Sequence, residues 1–137
     1  MNAEKYLERI AKIDELIPSK QSRVDELREI AEGLGGFSSG ESVQSSKNLQ
    51  KQQDAIAKYC DLEREIKALE SERESIIKTL ERLPAYDYGV LSKLYAEKQS
   101  YKVIASYYKK SYDWVKWRRK TALGKLQAIL DEEKSTV

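Results

Sequence analysis

An all-α architecture, two long helices followed by shorter ones, is the fold class this sequence predicts. Three observations predict it. Apolar residues recur at alternating steps of three and four through residues 3–34 and again through 52–83, the spacing of a helical a/d stripe. The chain has two prolines, six glycines and few β-branched runs. Its mean hydropathy is −0.70 and 35% of its residues are charged. That is too polar for a thick globular core but suits long helices that each bury one stripe. The 137 residues fit one or two small domains.

The first stripe is Ala3, Tyr6, Ile10, Ile13, Ile17, Lys20, Val24, Leu27, Ala31 and Leu34, with Glu, Lys and Arg filling the other positions. Lys20 is its one break. The glycines of "GLGG" stop the helix just past the last periodic residue. Pro18 lies inside the pattern and predicts a kink or a short restart. The heptad phase survives across it, so both pieces are expected to pack on one partner. Residues 35–49, "GFSSGESVQSSKNLQ", read as a polar loop.

The second stripe is Gln52, Ala55, Tyr59, Leu62, Ile66, Leu69, Arg73, Ile76, Leu80 and Leu83, widened by Ile56 and Ile77. Each helix of about 30 residues spans about 45 Å. The loop lets them fold back as a long antiparallel, coiled-coil-like hairpin over residues 1–84. Lys20 and Arg73 read as register devices or snorkelling ends. Two helices bury only one face each, so a further partner is expected. It is either the C-terminal domain or a second copy, the latter giving a homodimer through residues 1–84.

Pro84, in "LPAYDYG", punctuates the second helix, and the composition changes there. Seven of the nine tyrosines lie between residues 86 and 112. Charge divides as well: residues 1–84 carry net −3, residues 85–130 net +7 and residues 131–137 net −2. The domain boundary is placed at 84–87, and the acidic end 131–137 is read as a flexible tail. A basic domain behind an acidic hairpin points to a polyanion partner for the basic part.

Within 85–130, Val90, Leu91, Leu94 and Tyr95 have helical spacing, and "KQS" interrupts. Ser100 is the N-cap of a short helix, "YKVIASYY", with Ile104, Ala105 and Tyr108 inward. "KKS" makes a tight turn, and Ser111 caps a helix running to about Leu130. A short helix, a tight turn and a longer basic helix form a helix-turn-helix pattern. At about 100° per residue, Val115, Ala122 and Leu126 share the buried side, with Tyr112, Ile129 and Leu130 close to it. Trp117 falls nearly opposite, with Asp113, Lys116 and Lys120 on the same outer half. Trp114 and Arg118 lie on the flank. Arg119, nearer the core, is expected to reach solvent or an acidic residue. Trp117 then meets either nucleic acid or another protein surface, the hairpin or a second subunit. For Lys116, Arg118 and Lys120 the charge excess favours phosphate contact.

The residue inventory excludes much chemistry. There is no histidine, and one cysteine, Cys60, cannot build a thiolate metal site or an internal disulfide. No Gly-rich phosphate loop or nucleophile elbow occurs. Paired carboxylates such as those of "DLERE" read as solvated helix faces. No enzyme activity, cofactor or metal is expected. No apolar stretch approaches the roughly 20 residues that cross a bilayer, and the N-terminus lacks an apolar signal region. A cytoplasmic protein with no membrane partner is expected.

The last 50 or so residues resemble region 4 of sigma-70-type factors, through "VLSKLY", "SYKVIASYY" and "SYDWVKWRRKTALGKLQAIL". With the two-helix front half and "ESVQSS", the chain is similar to small late-gene transcription activators of phages of Gram-positive bacteria, the ArpU- and RinA-like group. The resemblance implies double-stranded DNA binding through the C-terminal helix-turn-helix and control of late or packaging genes. Host RNA polymerase, or another phage or satellite regulatory protein, is a further implied partner. It places Ser111, Asp113, Trp114, Trp117 and Arg118 on the DNA-facing side, with Lys116 on phosphate. The turn departs from the pattern. Lys109-Lys110 stand where glycine or asparagine is usual, and lysine is uncomfortable at positive φ. A differently built turn is therefore expected, with both lysines on backbone phosphate beside Lys116, Arg118 and Lys120. The rival expectation is a coiled-coil adaptor that docks on polymerase or a phage protein without touching DNA.

Overall fold

The computed structural model describes residues 2–33 and 46–135. Among these the chain is all-helical, with two long helices and no strand. The elements are α1 (Ala3–Ala31), α2 (Ser46–Leu80), α3 (Ala85–Leu91), a π-helical turn (Ser92–Ala96), α4 (Tyr101–Tyr108) and α5 (Tyr112–Ser135). They fall into two compact units, Met1–Ile13 with Glu72–Val137, and Asp14–Ser71. The composition change at 84–87 thus lies inside the first unit.

In the unit Asp14–Ser71, α1 and α2 run antiparallel. Lys20 Nζ pairs with Glu65 at 2.7 Å and Arg28 Nη2 with Glu63 at 2.7 Å, so one residue number falls as the other rises. Val24, Leu27, Ala55, Ile66 and Leu69 are buried between the helices. Lys20 breaks the apolar stripe because its stem lies along the seam and its ammonium reaches the facing helix. Of the kink or short restart expected at Pro18, the restart does not occur: α1 is continuous across it. Proline removes one backbone hydrogen bond there, and the surrounding turns hold the helix. Ile56, expected to widen the stripe, is 42% exposed. The helix ends at Ala31, and Gly33 takes φ +72° with its N–H on Ile30 O at 3.0 Å, the left-handed stop that glycine supplies at least cost. Leu34 and loop residues 35–45 lie outside the described residues. Residues 46–49, expected as loop, already belong to α2.

In the other unit, the first turns of α1 lie antiparallel to the last turns of α2. Tyr6 Oη donates to Thr79 Oγ1 at 3.0 Å, and Arg9 grips Glu72 with two hydrogen bonds of 2.7 and 3.0 Å. Those bonds hold the Glu72 carboxyl below its ordinary range against the opposing effect of burial. Leu7, Ile10, Ile13, Ile76 and Leu80 are buried here. Leu7 stands one step off the a/d stripe and widens the buried face beside Ala3 and Ile10.

The same unit contains the basic elements. Val90 of α3, Ile104 and Ala105 of α4 and Val115 of α5 form a core, with Leu94, Tyr101, Tyr108 and Trp114 packed against it. Each fully buried aliphatic contributes about 1.5–3 kcal/mol. Ser100 Oγ accepts from Val103 N at 3.3 Å and Ser111 Oγ from Trp114 N at 3.0 Å, so both serines cap as expected. The turn between α4 and α5 differs from expectation. Lys109 itself adopts the left-handed conformation, φ 58° and ψ 44°. Lys110 N donates to Ala105 O at 2.9 Å and Lys109 N to Ser106 O at 3.2 Å. This is a Schellman stop, built on a lysine because the two hydrogen bonds offset the left-handed cost. Lys109→Gly is expected to raise stability by roughly 0.5–1 kcal/mol, read as a higher Tm; an unchanged or lower Tm would contradict it.

Helix α5 continues to Ser135, past the expected end near Leu130. Its later turns are tied within the unit: Gln127 Oε1 accepts from Ala3 N at 2.8 Å, and Arg82 pairs with Glu133 at 2.9 Å. The expected flexible tail is therefore helical through Ser135, and residues 136–137 lie outside the described part.

Candidate nucleic-acid interface

The turn at 109–111 starts α5 with Ser111 as cap, and the core then sets its rotation. Val115, Ala122 and Leu126 are fully buried, as their spacing predicts. Asp113, Lys116, Trp117 and Lys120 are exposed and stand at i, i+3, i+4 and i+7, one face of a helix. Trp117 is 56% exposed, so it is not core of its own unit. Lys109 and Lys110 are exposed in the turn just before. Among the described residues, Lys109, Lys110, Lys116 and Lys120 form no ion pair with a carboxylate. Lys110 Nζ stands 5.7 Å from the Trp114 ring centre and Lys116 Nζ 5.7 Å from that of Tyr112. The α5 start thus presents exposed lysines in its turn and on the helix face that carries the exposed Trp117.

Two flank residues have other partners. Trp114 is partly buried, with its ring 5.5 Å from Tyr86 and 5.7 Å from Tyr108, centre to centre. It joins α5 to α3 and α4. Arg118 Nη1 donates to Asp87 Oδ1 at 3.2 Å, and Lys125 Nζ approaches Asp87 Oδ2 at 2.8 Å. Asp87 is fully buried in α3. A buried carboxylate needs such partners, since an unpaired charge off water is very costly. Arg118, expected toward DNA, is thus turned to the interior with a side chain only 20% exposed.

Tyr112 also departs from expectation. Placed near the buried side by its phase, it is 53% exposed. Its ring leans on Tyr101 at 5.3 Å. Arg119 meets the acidic partner expected of it: Nη2 lies 2.8 Å from Glu4 and 2.9 Å from the Tyr95 hydroxyl. Burial pushes the Tyr95 hydroxyl above its ordinary value, opposed by the Arg119 hydrogen bond.

Asp87 is the residue that sequence reasoning passed over. The signal was present: it is one of three acids among ten cations in residues 85–130, and it sits between tyrosines in "AYDYG". Gly89 is a second. A Cβ there would lie 1.9 Å from the Tyr108 hydroxyl oxygen and 3.2 Å from its Cζ. The ring is wedged among Tyr86, Tyr107 and Trp114, so it cannot swing away cheaply. Gly89→Ala is expected to destabilise by about 1–3 kcal/mol. Adding Tyr108→Phe, which removes the hydroxyl, should recover part of that loss; strictly additive effects in the double-mutant cycle would refute the steric account.

Among the described residues, no group of three or more His, Cys, Asp or Glu could hold a metal ion, and no helix is long and apolar enough to cross a membrane. The fold and this surface define a helical protein that displays lysines and a tryptophan from the start of one helix. Comparison with family models, with curated proteins and with solved structures gives no match.

Proposed function

We propose that the protein is a DNA-binding transcription regulator whose α4–turn–α5 segment acts as a helix-turn-helix, with the outer face of α5 in the major groove. One observation carries the reading: four exposed lysines, paired with no carboxylate among the described residues, stand on the turn and outer face of a capped helix start that also carries an exposed Trp117. Lys109, Lys110, Lys116 and Lys120 supply phosphate contacts, which dominate affinity. Trp117 meets a thymine methyl or the sugar-phosphate edge, Asp113 lies beside it, and the Ser111 cap aims the helix N-terminus at the duplex. Trp114 and Arg118 support this face from behind. The sigma-like resemblance extends the proposal to phage late or packaging genes in the cytoplasm of a bacterial host. Host RNA polymerase or a second copy of the chain is then a partner of residues 1–84.

A second reading rests on its own observation. Val103 and Tyr107 on α4 are 51% and 65% exposed, an apolar pair one turn apart that suits protein contact in a coiled-coil adaptor. Fluorescence anisotropy of labelled duplexes from phage promoters, at low and high salt, separates the two. The DNA reading predicts tight binding at low salt, lost at high salt, and weakened at least ten-fold by Trp117→Ala (about 1.4 kcal/mol). Absence of binding at low salt favours the adaptor.

A further inference from the structure

We infer that Arg118 is a positioning residue: anchored by the buried Asp87, its guanidinium holds the Trp117 indole in one orientation on the outer face of α5. The argument begins at Asp87, which has no exposure and takes Arg118 Nη1 on one oxygen and Lys125 Nζ on the other. This fixes the far end of the Arg118 side chain. Three rings then surround the guanidinium: its central carbon lies 4.7 Å from the ring centre of Trp117, 5.3 Å from Trp114 and 5.8 Å from Tyr86. Among the described residues, buried Arg118 Nε has no acceptor; what lies against the guanidinium is the Asp87 carboxylate and these rings. Trp114 and Tyr86 touch each other and belong to the packed interior. Trp117 differs. It is 56% exposed and makes no ring–ring contact among the described residues.

An indole on an outer helix face would ordinarily sample several rotamers. A planar cation held beneath it favours one, because the attraction depends on where the cation lies over the ring. Arginine suits this role and lysine does not: only the guanidinium is flat enough to stack while it also pairs with a carboxylate. Lys125 completes the arrangement by binding the second carboxylate oxygen. Asp87 in α3 therefore orients a side chain on α5 through one arginine. For nucleic-acid recognition this rests on the proposed function, but the orientation itself does not.

The test uses the full chain carrying Trp114→Phe, so that emission reports Trp117 alone. In that background Arg118→Lys keeps a cation opposite Asp87 and loses the guanidinium's contact with the Trp117 ring. Its acrylamide quenching constant is expected to rise, with faster depolarisation of Trp117, while the helical signal persists. Duplex affinity should fall about three- to five-fold with an unchanged salt slope. Asp87→Asn should loosen Trp117 in the same way. Equal quenching in the Arg118→Lys variant and its parent overturns the inference. So does a salt slope reduced by about one in Arg118→Gln, which would make Arg118 a phosphate contact. Loss of folding in Arg118→Lys overturns it too, by making Arg118 a fold-holding residue. If the parent binds no duplex, the functional reading fails, and the quenching comparison still decides the positioning claim.

Discussion

Asp87→Ala is expected to lower stability by about 3 kcal/mol, near the lower end of what breaking a buried ion pair costs. The substitution removes the carboxylate that Arg118 and Lys125 share and leaves the arginine, only 20% exposed, without a counter-charge. Lys125, 46% exposed, can turn to water, which keeps the loss from the top of the range. In a chain of this size the shift in Tm is about 10 °C. Lys125→Gln removes only the wetter partner and should cost under about 1 kcal/mol. Replacing Asp87 and Arg118 together by leucine and methionine should recover most of the loss, since apolar pairs often substitute for buried ion pairs without penalty. Thermal melts of the three variants measure this. An Asp87→Ala protein as stable as the parent would mean that the carboxylate does not join α3 to α5.

The second large effect is on binding. Lys109, Lys110, Lys116 and Lys120 are exposed and lack carboxylate partners among the described residues. Each lysine that neutralises one phosphate contributes a slope of about 0.9 to the fall of log affinity with log salt. Four such contacts give a slope of about 3.6, so duplex affinity should drop about two orders of magnitude between about 50 and about 200 mM salt. Changing all four to glutamine should flatten the dependence by about that slope and weaken low-salt binding by at least about a hundred-fold. All four lie on a helix face or turn directed away from the core, so the fold should be unaffected. A quadruple variant with parental salt dependence would place the contacts elsewhere.

The two long helices were legible in the sequence because each carries one local periodic signal over many turns. The caps at Ser100 and Ser111 were legible for the same reason: a cap is a relation between residues three apart. The rotation of α5 followed from spacing alone, with Val115, Ala122 and Leu126 buried and Trp117 wet. Features that depend on distant partners were not legible. Arg118 reads as an outward cation until α3 brings Asp87, 31 residues earlier in the chain, against it. Helix α5 outruns its expected end because Ala3 and Arg82, far from it in sequence, hold its later turns. Tyr112 has the phase of a core residue, but its ring leans on Tyr101 and stays half exposed, and periodicity carries no information about how much of a side chain a neighbouring helix covers. The left-handed Lys109 shows the limit of residue preference: the Schellman hydrogen bonds outweigh a local cost of about 1 kcal/mol.

The central claim is that the Trp117 face of α5 meets nucleic acid. Its most direct test is Trp117 emission in the Trp114→Phe protein during titration with duplex DNA at low salt. The account predicts saturable quenching with a blue shift, reversed by added salt in step with dissociation. Duplex binding, seen independently by anisotropy, with Trp117 emission unchanged at saturation would contradict it.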